Sequence, residues 1–415
     1  MQKNRVLVLG ASGTVGQAFL HVAASDSTLE LLPASQRVLP NYTTIDYKAM
    51  TTADAWKSTL SQLDIHTVVN CVGIWSGSAE LFEQVQYTVP VALFDACTSL
   101  GCALVHISAL GFSSKSSLPY ASTKARADEY LLQYCPTGVI ILPSLIFDPL
   151  GKSSRFFLQL AALPLHMDFG YQPNLQPVHV HEVAQHILAA VTGQQKEVQQ
   201  EVAGTHRIAV SDYLAALRKG MGLAPALCTI TAPSWMGKAI FWLGDLAGAH
   251  FVNSQAWSLL QNGTAGTAQH PEALPYENFT TSKDLAGVRE TQLYWFSRLG
   301  LAFLWLWTAF TTWALWPQTE SLYWLNTLVP GLGTAFWLKV SCVFDAALGL
   351  LTLWRPSAKL WKFQMGVVAG YSFGLLWALP WALLHPFGVL TKNLAVLATL
   401  ASLALIEQKR KTSCT

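Results

Sequence analysis

Residues 5–10, Arg-Val-Leu-Val-Leu-Gly, hold consecutive apolar positions from Val6 to Leu9. A strand covered on both faces has that pattern, because helices bury both its sides. Similar runs recur at Leu29–Ala34, Thr67–Cys71, Ala103–Ile107 and Val139–Leu142. Helical spacings separate them at about Gly13–Ala24, Glu80–Ser99 and Ser122–Gln133. The alternation predicts an α/β domain with a doubly wound parallel sheet. Its ligand crevice should lie at the carboxyl ends of the strands.

Residues 150–290 are less regular. Pro177–His181 reads as a short strand leading into a helix over Glu182–Ala190, and Ser211-Asp212 as the start of a helix to Lys219. Residues 233–262 are amphipathic, and the polar stretch 263–290 reads as a lid or linker. Four apolar segments follow, at about 294–316, 334–354, 361–384 and 388–406. Each is close to the ~20 residues that span a bilayer, which predicts an all-α four-helix transmembrane bundle. The expected division is 1–220, a nucleotide-binding domain; 221–290, a substrate-side extension and linker; and 291–415, the membrane domain.

The basic residues orient these spans. Arg298 precedes the first, Arg355, Lys359 and Lys362 follow the second, and Lys409, Arg410 and Lys411 form the tail. The loop 317–333 has no Lys or Arg, and only Lys392 lies on its side. Both termini are therefore expected in the cytosol, with the chain in the cytoplasmic (inner) membrane. Trp316, Trp324, Trp337, Trp354 and Trp361 sit near span ends, as an interfacial aromatic belt requires. Asp345 falls mid-span, where a carboxylate faces the bundle interior, as a structural partner or as a proton-transfer group. Gly366, Gly370 and Gly374 would let a neighbouring helix approach.

Composition sharpens this picture. Charged residues make up only 12% of the chain and apolar ones 52%, and 11 of the 16 tryptophans follow residue 290. A net charge of +2 gives no nucleic-acid footprint. The seven cysteines form no CxxC pair and no metal-binding spacing, so no metal is expected. At the N-terminus, Val6–Leu9 is too short for the apolar core of a signal peptide.

Gly10-Ala-Ser-Gly13-Thr-Val-Gly16 lies between the first strand and the first helix. Gly10 would let the chain turn, Gly13 would let backbone N–H groups approach a pyrophosphate, and Gly16 would let the helix pack on the strand. Ser12 and Thr14 add hydroxyl donors. These features predict a bound nicotinamide dinucleotide. The second strand ends in Ser35-Gln36-Arg37 with no acidic residue, so Arg37 could pair with a 2′-phosphate, which favours NADP over NAD. It could equally be a surface arginine. Asp46 could bond the adenine amino group or simply serve a turn.

Tyr120 and Lys124 stand at i and i+4, on one helix face. A lysine ammonium there would lower the tyrosine pKa, and the tyrosine could exchange a proton with a substrate oxygen. Ser108 ends the strand Val105–Ser108, where its hydroxyl could orient a carbonyl. With Val69–Gly73, Val105–Gly111 and Pro177–Ala184, these motifs make residues 1–220 resemble an extended or atypical short-chain dehydrogenase/reductase with a Rossmann fold. Within that group the pattern is similar to the nucleotide-binding accessory subunit of respiratory complex I, which often binds NADPH without evident turnover.

The resemblance implies Ser108, Tyr120 and Lys124 as the catalytic trio. It implies Gly10, Ser12, Gly13, Thr14, Val15 and Gly16 at the pyrophosphate, Val72 and Gly73 on the adenine side, and Pro143 and Ser144 near the nicotinamide. The sequence departs from the family in three places. Tyr87-Thr88 stands in the region of the fourth-helix asparagine, Leu142-Pro143 replaces Arg-Pro, and Asp148 replaces a glycine. The last 120 residues resemble the DoxX-like membrane family, chiefly at His385-Pro-Phe-Gly388, Lys392-Asn393 and Asp345.

Two functions fit. One is a membrane-tethered oxidoreductase that moves hydride between NAD(P)(H) and a lipid or quinone-like carbonyl or alcohol. The other is a non-catalytic NADP(H)-binding sensor or scaffold with a membrane-protein partner.

Overall fold

The structure is a computed structural model that describes residues 3–168, 175–195, 197–246, 253–262, 265–267, 269–315, 318–328, 334–384 and 390–412. The chain divides into two compact units, residues 1–288 and 289–415.

The first unit is built on a seven-stranded sheet. Its strands are β1 (Asn4–Leu9), β2 (Leu29–Ser35), β3 (Thr43–Thr44), β4 (Thr67–Asn70), β5 (Ala103–Ile107) and β6 (Gly138–Pro143), with β10 (Gln199–Val202) at one edge. Two short pairs lie outside that sheet: β7 (Ile146–Phe147) with β9 (Val178–His179), and β8 (Leu165–Asp168) with β11 (Cys228–Thr231). The main sheet runs β10-β6-β5-β4-β1-β2-β3, and every pairing is parallel. The chain order reverses between β1 and β4, which opens a crevice beyond their carboxyl ends.

Helices cover both faces. α1 (Thr14–Ala23) and α7 (Val180–Val191) pack on one side; α2 (Ala53–Gln62), α3 (Ala79–Glu83), α4 (Val89–Leu100) and α5 (Pro119–Tyr134) lie on the other. Strand β1 shows why its run is apolar throughout. Leu7 and Leu9 point to the core with Trp56, Leu93 and Leu131, while Val6 and Val8 point to the core with Phe19 and Ile187. A period-2 strand with two buried faces leaves a polar side chain no solvent on either side, so it must find a partner within the protein.

The helix predicted over Glu80–Ser99 is interrupted. A π turn, Gln84–Thr88, joins α3 to α4, and Pro90 sits in the first turn of α4. Proline has no N–H to continue the ladder, and a π turn absorbs the break. α6 (Lys152–Ala162) and α8 (Val210–Gly220) form a second core with Phe147, Tyr213, Tyr276 and Phe279. The cap of α8 is Ala209, so Ser211 and Asp212 lie inside its first turn. α9 (Ser234–Leu246) and α10 (Ser254–Asn262) touch at Gly237, where a Cβ would fall 1.9 Å from the Trp257 ring.

The stretch read from sequence as a lid or linker is strapped down where it is described. Gly266 N donates to the buried Gln176 Oε1 (2.9 Å), Thr267 N to Glu201 (2.8 Å) and Leu274 N to Glu182 (2.6 Å). Tyr276 and His206 share a further bond. His179 caps α7 in a reciprocal box with Glu182.

The second unit is helical: most of α11 (Ser282–Phe310), then α12 (Gln318–Leu328), α13 (Thr334–Trp354), α14 (Ala358–Ala378) and α15 (Thr391–Thr412). Four long helices contribute to one core, through Trp305 (α11), Leu348 (α13), Trp361 (α14) and Leu400 (α15). α12 occupies part of the expected loop 317–333.

The four expected spans are supported at one position. Among the described residues only Ala335–Trp354 is long and apolar enough to cross a membrane. α11 gives way to a π turn at Thr311–Leu315, α14 begins with Lys359 and Lys362 and ends before Pro380, and α15 carries polar residues at both ends.

Three readings of this region change. Arg298 is not a free surface charge: it is buried and donates to Thr352 O (2.7 Å) and Leu353 O, the orphan carbonyls at the end of α13. Trp361 is fully buried rather than interfacial, whereas Trp337 and Trp354 are exposed. No neighbouring atom lies within 4 Å of a Cβ built on Gly366, Gly370 or Gly374. The close helix approach is made instead by Gly349, whose Cβ would fall 2.7 Å from Leu306. Trp316, the Trp324 side chain and His385–Gly388 lie outside the described residues.

Candidate active site

The site begins at the glycine turn. Gly10 has φ +71°, and a Cβ there would lie 3.0 Å from the Cys71 carbonyl. At Gly16 a Cβ would lie 2.5 Å from Gly10 O and 2.7 Å from Ala11 Cα. Both positions therefore require glycine. Helix α1 starts at Thr14 with no side-chain cap and no acidic residue in its first turn. Its first N–H groups and its positive end are left for an anion, and Ser12, Gly13 and Thr14 are exposed around them. These residues fit the pyrophosphate of a dinucleotide.

A cavity of about 460 Å³ extends from this turn. It brings together Gly13, Thr14, Val15, Val72, Gly73, Ser108, Tyr120, Lys124, Pro143 and Ser144 of the predicted residues. Gly10, Ser12, Gly16, Arg37 and Asp46 do not line it. Arg37 is exposed just past β2, and Asp46 accepts from Gln36 (3.3 Å) at the start of a short 3-10 turn.

α5 supplies the reactive side chains. Tyr120 is half-buried, its ring edge-on to Trp75, Phe82 and Phe112 at 5.1–5.8 Å. Burial among them pushes its phenol up to about 12. Lys124, one turn on, is buried and donates to Ile107 O (2.7 Å). Burial lowers the Lys124 pKa, and Asp128 partly offsets that. Cys71 also faces the cavity, and burial lifts its thiol to about 12.

Ser108 does not stand alone. Its hydroxyl donates to Asp128 Oδ2 on α5. The other carboxylate oxygen lies 3.6 Å from His106 Nε2. His106 Nδ1 lies 3.2 Å from Asn70 Nδ2, which also reaches the Tyr47 hydroxyl (3.3 Å), and Asn70 Oδ1 accepts from Val72 N (3.2 Å). Asn70, His106, Ser108 and Asp128 are all buried. Burial raises the Asp128 carboxyl to about 7 and drives the His106 imidazole down, toward its neutral form.

Gln86 escaped the sequence reading. It sits in the π turn, is buried, and lines the cavity. Its amide donates to Ile74 O (3.0 Å) and accepts from Thr123 (3.1 Å). The helix-breaking Pro90 was the available signal, since π turns favour functional sites. The far wall was also missed. It is apolar, formed by Trp75, Phe112, Phe156, Phe157, Phe241 and Leu260.

Residues 6–162 match the NAD dependent epimerase/dehydratase family, and residues 302–401 match the DoxX-like family. The chain joins an epimerase/dehydratase-type domain to a DoxX-like one. NADH dehydrogenase [ubiquinone] 1 alpha subcomplex subunit 9, mitochondrial, of Mus musculus is 32% identical over 133 residues, 30% of this chain and 34% of that protein. Its Rattus norvegicus counterpart is 31% identical over the same shares. The match thus spans about a third of the length of these relatives. Among solved structures, gox2253 aligns with a TM-score of 0.50 and 18% identity, over 70% of this chain and 99% of that one. That likeness is one of fold.

Proposed function

We propose that this chain is a membrane-tethered NAD(P)(H)-dependent oxidoreductase acting on an apolar carbonyl or alcohol, of lipid or quinone-like character. One observation carries the reading. Ser108, Tyr120 and Lys124 meet the glycine-turn residues Gly13, Thr14 and Val15 in one cavity, whose far wall is aromatic and aliphatic. Such a wall rewards an apolar substrate and offers nothing to a charged one.

Gly10–Gly16 and the open end of α1 would hold the pyrophosphate, Val72 and Gly73 the adenine side, and Pro143 and Ser144 the nicotinamide side. Arg37, exposed at the end of β2, would favour the 2′-phosphate of NADP, with Asp46 nearby. When bound, the reduced nicotinamide supplies the hydride. Tyr120 gives its proton to the substrate oxygen, Lys124 turns from Ile107 O to support the phenolate, and Ser108 orients that oxygen.

The second unit supports the tether. Its large apolar side chains face outward in quantity, among them Phe303, Trp307, Phe336, Trp354, Phe373, Trp377 and Leu394. Lipid, not water, suits such a surface. The four segments would then be spans with both termini in the cytosol. In the first unit α9 sends Phe241 to the cavity and exposes Trp235, Trp242, Leu243 and Leu246, a face suited to receiving an apolar substrate.

A second reading keeps the nucleotide as a ligand of a sensor or scaffold subunit. It is favoured by the resting geometry, in which Lys124 and Ser108 donate to Ile107 and Asp128. Single-turnover oxidation of NADPH by the purified chain with membrane lipid extract separates the two. Wild type should oxidise the nucleotide and Tyr120→Phe should lose at least about a hundredfold in rate. Equal rates would remove the enzymatic reading. Cysteine labelling of residues 317–333 from the cytosolic side would remove the topology.

A further inference from the structure

We propose that Asp128 is a positioning residue that sets whether Ser108 offers a substrate oxygen a hydrogen-bond donor or an acceptor, and so whether the site holds a carbonyl or an alcohol. The inference rests on the oxidoreductase reading of the cavity and assigns its direction of binding.

A serine hydroxyl has one proton. Here that proton goes to Asp128 Oδ2, so toward the cavity Ser108 has only lone pairs. Lone pairs accept from an alcohol O–H and repel a carbonyl oxygen. If Asp128 is protonated, its own O–H can donate to Ser108, and the serine proton turns to the cavity. A carbonyl is then the better partner.

The location of the Asp128 proton is fixed by the chain of groups behind it. Val72 N can only donate, and it donates to Asn70 Oδ1. The Asn70 amide nitrogen therefore faces His106 Nδ1 and donates to it. A neutral His106 then carries its proton on Nε2, which faces Asp128 Oδ1 at 3.6 Å. Oδ1 faces that N–H from just beyond hydrogen-bond reach and Oδ2 is the oxygen bonded to Ser108, so the acid proton belongs on Oδ2, against Ser108. Lys124 on the same helix and the neighbouring Glu129 are the other charges acting on Asp128, and they oppose each other. Burial places the midpoint near neutral pH. The glycine-turn side of the cavity, through Val72, is thereby linked to the orientation of Ser108.

Asp128→Asn reproduces the neutral acid: its amide N–H can donate to Ser108 while its oxygen faces His106. The test uses the full chain in mild detergent without nucleotide, so that no turnover intervenes. Infrared difference spectra between about pH 5 and pH 9 should show a buried carboxylic-acid band titrating near neutrality. Asp128→Asn should abolish that band and Ser108→Ala should shift it. Calorimetric affinities for menthone and menthol should favour the ketone by about five- to tenfold more at the acid end, one hydrogen bond's worth. Asp128→Asn should hold the acid-end ratio at every pH.

A wild-type titration without that band, a band indifferent to Ser108→Ala, or an unchanged pH slope in Asp128→Asn would each overturn the proposal. A pH-dependent ratio with no NADPH turnover under any condition would sustain it while removing the dehydrogenase reading.

Discussion

The two units are rich in the same residue types and use them in opposite directions. In the first, the strands send alternate side chains to two cores, and exposed apolar residues concentrate on α9 and isolated positions such as Val38 and Leu150. In the second, four long helices share a thin core around Trp305, Trp361 and Leu400, while Trp354, Trp377 and Leu384 are each more than 80% exposed. Both units bury polar side chains, the first around Asn70, His106, Ser108 and Asp128. The second unit buries Arg298, Thr352 and Gln364, with Gln364 bonded to Thr352 (2.8 Å) and to the Trp305 indole (3.1 Å). Apolar content alone does not locate a core; the surrounding solvent decides which way the side chains turn.

Two tryptophans of α14 sharpen this contrast most. Trp361 is fully buried and Trp377 is 81% exposed. Trp361→Ala should cost about 3–5 kcal/mol in denaturant unfolding of the detergent-solubilised chain. Trp377→Phe should cost less than about 0.5 kcal/mol. In vesicles of brominated lipid, wild type should lose more fluorescence than the Trp377→Phe variant. Equal quenching by lipid, with Trp377 instead reached by aqueous acrylamide, would mean that the outward apolar face meets water, and the comparison would fail.

The polar interior of the first unit gives the next effect. The folded-state pKa of Asp128 is raised from 3.8 to about 7. The native state then holds a proton that the unfolded chain has released, so this contribution to stability is present at low pH and lost as pH rises through about 7. Between about pH 5 and pH 8 the wild type should lose on the order of 3 kcal/mol that Asp128→Asn keeps. Parallel stability profiles for the two proteins would show that the carboxyl is ionised throughout.

The apolar strands, the glycine turn and the Tyr120–Lys124 pair were legible because each has a fixed period or spacing. What stayed hidden lacks one. β10, Gln-Gln-Glu-Val, is an edge strand and lacks the apolar run that marks β1. Asp128 reads as a solvated helix carboxylate until β5 places Ser108 and His106 against it. Gln86 depends on a π turn that shifts the helix register. Arg298 was counted as a free charge for topology because its carbonyl partners, Thr352 and Leu353, lie more than 50 residues away. The far wall of the cavity is assembled from five separated stretches of chain, and only folding brings it together.

Glycine offers the smallest test, with opposite signs expected in the two units. At Gly16 a Cβ would strike Gly10 O and Ala11 Cα, both backbone atoms that cannot swing aside. Gly16→Ala should destabilise the first unit by roughly 1–3 kcal/mol and weaken nucleotide binding, read by thermal unfolding with and without NADPH. At Gly370, in the middle of α14, nothing lies within 4 Å of the added carbon. Gly370→Ala should therefore gain up to about 1 kcal/mol from helix propensity alone. A loss at Gly370 comparable to that at Gly16 would mean that another molecule packs closely on this face. The outward side of the second unit would then be an interface of fixed shape rather than a lipid-facing surface.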